Sequence, residues 1–140
     1  MGVRVRLRIG FGGSSVLVVA LVNTGFEGDV PEVLIPVNVA ERLGVWPRLP
    51  DGTVVETYRS ASGLMKVYRF SGGVVELLDG EKVLSSCSGV YIVVSEVTDE
   101  VLMNDQLISR LGIVIEDPAA GLWRIKGEDR VRSSVVRRFI

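Results

Sequence analysis

The sequence contains no histidine and only one cysteine, Cys87. Without histidine, Ser-His and Cys-His nucleophilic machinery is excluded, and so is any histidine-ligated metal. One thiol can form neither an internal disulfide nor a cysteine-rich zinc site, so we expect Cys87 to be a small, half-buried residue. We therefore expect no metal and no other cofactor.

Long hydrophobic runs are also missing from the chain. The longest covers residues 16–22 and is far too short to span a bilayer, and the N-terminus lacks the apolar stretch of a signal peptide. The formal net charge of -1 gives no overall attraction to nucleic acid or to a membrane surface. The sequence thus favours a cytoplasmic protein that does not associate with membranes.

Aromatic residues make up only 6% of the chain, whereas hydrophobic residues, many of them valine, make up 47%. This composition favours a folded, β-rich domain. Residues 3–9 alternate between apolar residues and arginine, which predicts a strand with one buried face. Residues 16–22 are continuously apolar, which predicts a strand buried on both faces. Further strands are predicted at residues 33–35, 54–58, 65–70, 74–78, 82–84, 90–94, 113–115 and 122–125.

Two short helices are predicted, and each ends in Leu-Gly. Pro36 can open the first helix, which Gly44 ends. Residues 102–111 carry apolar residues at helical spacing, and Gly112 ends that second helix. Together these elements predict an all-β protein, mainly strand with two short helices, that folds as a single closed β-barrel domain over residues 1–140.

Residues 20–25 contain an apolar run that leads directly into the turn Asn23-Thr24-Gly25. The predicted helix over residues 36–44 follows. This arrangement resembles the active-site segment of retropepsin-like aspartic proteases, in which an apolar strand delivers Asp-Thr/Ser-Gly to a catalytic centre. Residues 100–112 resemble the family's second helix entry, with Asn104 where a glycine usually sits. Asparagine is the next best residue after glycine for a left-handed backbone turn, so this substitution is physically tolerable. The resemblance covers roughly residues 3–126 and implies a single-lobe, retropepsin-like acid-protease barrel.

The resemblance implies a homodimer, because each such domain is half of an enzyme and two turns share one centre. Asn23 stands where the family places its catalytic aspartate, and Thr24 and Gly25 complete the turn. The family's threonine bonds across the subunit interface, and Thr24 would do so here. Terminal strands often complete that interface, so residues 3–9 and the basic tail at residues 127–140 are candidate interface strands.

The resemblance also implies substrate contacts. Acidic residues just after the family's motif touch the substrate main chain, a role that Glu27 and Asp29 could have here; the alternative is a solvated loop face. Ala61, Ser62 and Gly63 lie in a small-residue turn that resembles the family's flap, a mobile hairpin that closes over a peptide.

The residue at position 23 decides the expected activity. Hydrolysis in the family requires two carboxylates that share one proton, whereas an amide is neither a usable base nor an acid near neutral pH. We therefore expect a degenerate domain without peptidase activity that binds an extended peptide or protein ligand, or acts as a dimeric interaction module. The alternative is an active homodimeric aspartic endopeptidase, if the natural residue is Asp or another carboxylate serves. Asp105 is expected to favour a helix start instead.

Two other functions remain as distant alternatives. Residues 23–30 loosely resemble a motif of trimeric dUTP pyrophosphatases, but the tail does not resemble that family's glycine-rich phosphate arm. Arginines also cluster near both ends of the chain and could form a basic stripe for nucleic acid. These are Arg4, Arg6, Arg8, Arg130, Arg132, Arg137 and Arg138. An ordinary solvated strand face explains them more simply, because the net charge is slightly negative and aromatic platforms are scarce.

Overall fold

The computed structural model describes residues 2–61 and 63–136. Over that range the chain forms mostly strands, with two short helices between them. In chain order the elements are β1 (Arg4–Phe11), β2 (Ser14–Val22), β3 (Glu32–Pro36), α1 (Val37–Leu43), β4 (Val54–Ser60), β5 (Gly63–Asp79), β6 (Lys82–Ser95), β7 (Val101–Met103), α2 (Asp105–Leu111), β8 (Ile113–Asp117), β9 (Leu122–Ile125) and β10 (Arg132–Ser133).

The first strand closes the barrel. β1 pairs antiparallel with β2 on one side and with β5 on the other. The order β1-β2-β7-β3-β6-β5 therefore closes on itself as a barrel of 6 strands. β4 lies outside this ring and, among the described strands, pairs with β5 alone. The prediction of an all-β protein with a closed barrel is confirmed.

The alternating pattern of residues 3–9 places one face of β1 in the core. Val3 and Val5 are 2% and 1% exposed, and Leu7 and Ile9 are fully buried. In β2 the prediction of burial on both faces is wrong at Leu17, which is 49% exposed. Leu17 lies opposite Arg8 of β1, on the outer face of the barrel wall.

Cys87 lies in β6 as part of the main core cluster. It is buried rather than half-buried, and burial raises the pKa of its thiol. Its place in the core agrees with its interpretation as a small packing residue.

The two helices end where predicted but do not both begin there. Gly44 and Gly112 adopt left-handed backbone angles, with φ of 83° and 74°, and end α1 and α2. α2 begins at Asp105 rather than at residue 102, because Leu102 pairs with Leu21 of β2 and Leu34 of β3 within β7. Within the described residues, neither helix has the length and apolar character needed to cross a membrane.

The strands β5 and β6 are longer than predicted. Separate strands were expected at residues 65–70 and 74–78, but β5 continues through Gly72 and Gly73 with shifts in register. A Cβ atom on Gly73 would lie 2.9 Å from both Ile92 Cγ1 and the Val90 carbonyl oxygen, so glycine permits this close approach. β5 therefore runs unbroken from the barrel wall into the hairpin that it forms with β4.

Part of each predicted interface strand is already paired within the chain. From Arg6 to Gly10, β1 is paired on both sides, which excludes strand addition to a partner over those residues. In the tail, β10 pairs with β9, and the Val135 N–H donates to the Arg4 carbonyl within the same chain. Residues 137–140 of the tail lie outside the described residues.

Candidate functional site

A cleft with a volume of ≈ 1090 Å³ lies between the loop after β2 and the β4–β5 hairpin. The predicted site residues Asn23, Gly25, Glu27, Asp29 and Ala61 all line it. Thr24 is exposed within the same turn, and Gly63 pairs with Ser60 where the hairpin begins its second strand. Ser62 lies outside the described residues. The residues taken from one resemblance are thus brought together around one cleft.

Asn23 begins a turn directly after β2. Its side chain is half-buried, and Oδ1 accepts a hydrogen bond of 3.1 Å from the Gly25 N–H. The Phe26 N–H donates to the Asn23 carbonyl at 3.1 Å. Such a turn is formed equally well by asparagine and aspartate, since either offers the same acceptor oxygen. The turn can therefore accept a carboxylate at position 23 without rearrangement.

Asp105 anchors the loop that follows Asn23. Its Oδ1 accepts from the Gly28 N–H at 3.1 Å and from the Gln106 N–H at 2.8 Å. Its own N–H donates to the Phe26 carbonyl at 2.9 Å. Asp105 lies in the first turn of α2, so the prediction that it occupies the helix start is confirmed.

Asn104 is fully buried and does not adopt the left-handed conformation that a glycine in this position would favour. Its φ of -84° and ψ of 173° are extended, because it is the N-cap of α2. Its Oδ1 accepts from the N–H groups of Leu107 and Glu32 at 3.0 and 2.9 Å, and its Nδ2 donates to the Val30 carbonyl at 2.8 Å. One side chain thus holds α2, β3 and the preceding loop together.

The main residue that sequence reasoning missed is Glu32. It is only 6% exposed, yet it lines the cleft at the start of β3. Its Oε1 accepts from the Tyr58 hydroxyl at 3.0 Å, and its Oε2 accepts from Arg69 Nε at 3.0 Å. The sequence signal for this site was a carboxylate directly before the apolar run at residues 33–35. When such a strand is buried, the carboxylate needs hydrogen-bonding or charged partners.

The negative charge of Glu32 is balanced by the positive charge of Arg69 in the cleft wall. Arg69 forms an ion pair with Glu32, and its guanidinium carbon lies 3.9 Å from the centre of the Tyr91 ring. Burial raises the pKa of Tyr58, and the charge and hydrogen bond of Glu32 raise it further. The Tyr58 hydroxyl therefore remains a donor at neutral pH.

The floor of the cleft is apolar. A small second core cluster joins Leu34, Val67 and Val93 to the partly buried side chains of Phe26, Tyr58, Met65 and Leu102. The Phe26 and Tyr58 rings lie with their centres 6.2 Å apart, so the loop and the hairpin meet across one end of the cleft. The site therefore combines an apolar floor with an amide at Asn23, which can form hydrogen bonds but cannot transfer protons near neutral pH.

Several arginines of the suggested basic stripe are paired with carboxylates. The ion pairs are Arg4–Glu100, Arg8–Glu76, Arg130–Asp79, Arg132–Asp79 and Arg132–Glu128. Pairing lowers the positive potential that a phosphate backbone would encounter. Arg137 and Arg138 lie outside the described residues.

No protein-family model matches the sequence, and a search of curated proteins finds no significant match. Function is therefore inferred from the residues around the cleft and from the resemblance of the Asn23-Thr24-Gly25 segment.

Proposed function

We propose that this chain is a retropepsin-like domain that works as a homodimer and binds an extended peptide segment without hydrolysing it. The observation that carries the proposal is the position of Asn23. Its turn lines a large cleft opposite a β-hairpin, which is where the resemblance places a catalytic aspartate.

The order of the elements supports the family assignment. An apolar strand, β2, enters the Asn23 turn, and β3 and the short helix α1 follow. A long hairpin comes next, and a strand then feeds a second short helix that ends at Gly112. This order accords with the retropepsin-like arrangement on which the resemblance rests.

The chemistry of the cleft supports binding without hydrolysis. Loss of general acid–base catalysis typically lowers a rate by roughly 10²–10⁴-fold, and an amide at Asn23 supplies neither an acid nor a base. Two nearby carboxylates are already engaged: Glu32 with Tyr58 and Arg69, and Asp105 with backbone N–H groups. Neither is therefore a ready replacement for the missing aspartate.

The hairpin supports recognition of an extended chain. β4 pairs with β5 alone among the described strands, so its other edge can add a peptide strand through main-chain hydrogen bonds. Such contacts use the backbone and need no catalytic group. The apolar floor near Leu102 would receive peptide side chains, while Glu27 and Asp29 border the same space.

Binding of fluorescein-labelled casein, an unfolded polypeptide, tests this function by fluorescence anisotropy. We expect the natural chain to bind casein and to leave it uncleaved on a gel. Leu102→Lys places a charge on the apolar floor and should weaken binding by about tenfold or more. Leu17→Lys is the matched control, because Leu17 is 49% exposed on the barrel wall and should leave binding unchanged. Equal binding by the two variants, or cleavage by the natural chain, would contradict the proposal.

A further inference from the structure

Both strands of the β4–β5 hairpin hold the same buried carboxylate, that of Glu32. Arg69 lies at the barrel end of the β4–β5 hairpin, where its register partner on β4 is Val54. Tyr58 lies further along β4 than Val54, by roughly 13 Å at ~3.3 Å per residue. Because Tyr58 and Arg69 lie on the same face of the hairpin and both contact the Glu32 carboxylate, Glu32 joins the base and the outer part of the hairpin to β3.

Among the described residues of the outer hairpin, Tyr58 and Met65 make three contacts with the barrel and the loop after β2. The Tyr58 hydroxyl donates to the Glu32 carboxylate, and the Tyr58 ring packs near Phe26. Met65, the register partner of Tyr58, accepts a hydrogen bond of 3.2 Å at its sulfur from the buried hydroxyl of Ser95. Sulfur is a weak acceptor, whereas a hydrogen bond to a charged carboxylate is a strong one. The Tyr58–Glu32 contact is therefore the strongest of the three.

We propose that the Tyr58–Glu32 hydrogen bond is a latch that holds the outer hairpin closed and sets how often the cleft opens. Arg69 is a positioning residue in this device. It fixes the Glu32 carboxylate from the base of the hairpin, where it also stacks on Tyr91. The latch can be tested in the free protein, without a ligand. Its control of peptide entry rests on the proposed function.

Oxidation of methionine by hydrogen peroxide, followed for each residue by mass spectrometry, measures opening of the hairpin directly. Met65 belongs to the outer hairpin, and its partly buried side chain packs against the second core cluster, whereas Met103 is fully buried in the barrel and reports global unfolding. Tyr58→Phe removes the latch hydroxyl and keeps the ring. We expect Met65 to oxidise about tenfold faster in this variant with Met103 unchanged, because a hydrogen bond to a charged group shifts a local opening equilibrium by about that factor or more.

Tyr68→Phe is the matched control. Tyr68 lies on β5, the other strand of the hairpin, and its hydroxyl donates to the Glu96 carboxylate at an exposed position. In Tyr68→Phe, the rate of Met65 oxidation should stay within about twofold of the rate in the natural chain. The latch is refuted if Met65 oxidises equally fast in the two variants, or if Met65 and Met103 accelerate together in Tyr58→Phe.

Casein association provides the second measurement. A latch that limits entry predicts an association rate about tenfold higher in Tyr58→Phe than in the natural chain. An unchanged association rate would refute control of entry by the latch. If casein binds neither protein, the proposed function fails, and the Met65 rates still decide whether the latch exists.

Discussion

Replacement of Asn104 by alanine should be among the most damaging single changes near the cleft. Asn104 is fully buried, and its side chain makes three hydrogen bonds to backbone groups of α2, β3 and the loop before β3. Asn104→Ala removes all three hydrogen bonds at once, and alanine offers their backbone partners no donor or acceptor in exchange.

The expected loss follows from these bonds. Loss of an N-cap costs about 1 kcal/mol. The Glu32 N–H would be left buried and unsatisfied, at about 1–2 kcal/mol, and the partly buried Val30 carbonyl would cost somewhat less. We therefore expect a loss of about 3 kcal/mol in the free energy of unfolding, a large share of the ~5–15 kcal/mol typical of a domain.

Urea unfolding followed by circular dichroism measures this loss. The matched control is Asn38→Ala, because the Asn38 Oδ1 accepts a purely local hydrogen bond from the Val39 N–H, and its loss should change stability by less than about 0.5 kcal/mol. A loss below about 1 kcal/mol for Asn104→Ala, at an unchanged denaturant slope, would refute the view that this side chain joins the three elements.

Three further outcomes are expected. In the proposed homodimer, the dimerisation constant of the natural chain should stay flat between about pH 4 and pH 8, whereas Asn23→Asp should dimerise more weakly as the pH rises, because two facing carboxylates would repel when ionised; equal slopes in sedimentation experiments would contradict this. Gly28→Ala should destabilise by about 1–3 kcal/mol, because the new Cβ would lie 2.9 Å from Asn104 Nδ2, whereas Gly10→Ala meets nothing closer than 3.7 Å and should be milder in the same urea assay. Because the fold raises the pKa of Tyr58, the stability that its protonated hydroxyl contributes is complete below its unfolded pKa of ~10 and is lost as the pH rises above that value. In Tyr58→Phe, the free energy of unfolding should therefore fall less steeply as the pH rises above about 10. An unchanged pH dependence would show that Tyr58 does not cause this fall.

Local patterns in the sequence predicted much of the barrel because those patterns act over short distances. The alternation in residues 3–9 identified the buried face of β1, since period two follows from strand geometry alone. Gly44 and Gly112 marked the helix ends because glycine adopts the left-handed angles that end a helix at little cost. The Asn23 turn was likewise visible as a polar break after an apolar run.

Features that depend on contacts between residues far apart in the chain could not be predicted from local sequence patterns. Leu102 was assigned to a helix because its apolar neighbours fit helical spacing, but pairing with Leu21 and Leu34 placed it in β7. The resemblance indicated only that asparagine is tolerable at position 104, whereas hydrogen bonds to Glu32 and Val30 hold Asn104 as an extended N-cap. Tertiary partners overrode local preference at these positions.

The same limit explains why Glu32 was missed at the site. Its two partners come from residues 58 and 69, and nothing in the local sequence links those positions to residue 32. The resemblance did bring Asn23, Glu27, Asp29 and Ala61 to one cleft. It gave no indication of the buried network that joins the hairpin to the floor.

Restoration of a carboxylate at position 23 tests the central claim most directly. Cleavage of casein should be compared between the natural chain, Asn23→Asp and the control Asn38→Asp across acid to neutral pH. We expect cleavage by Asn23→Asp alone, strongest in acid, with a gain of at least about 10²-fold over the natural chain. Cleavage by the natural chain at a comparable rate, or no gain in a folded and dimeric Asn23→Asp protein, would contradict the claim that Asn23 occupies a silenced catalytic position.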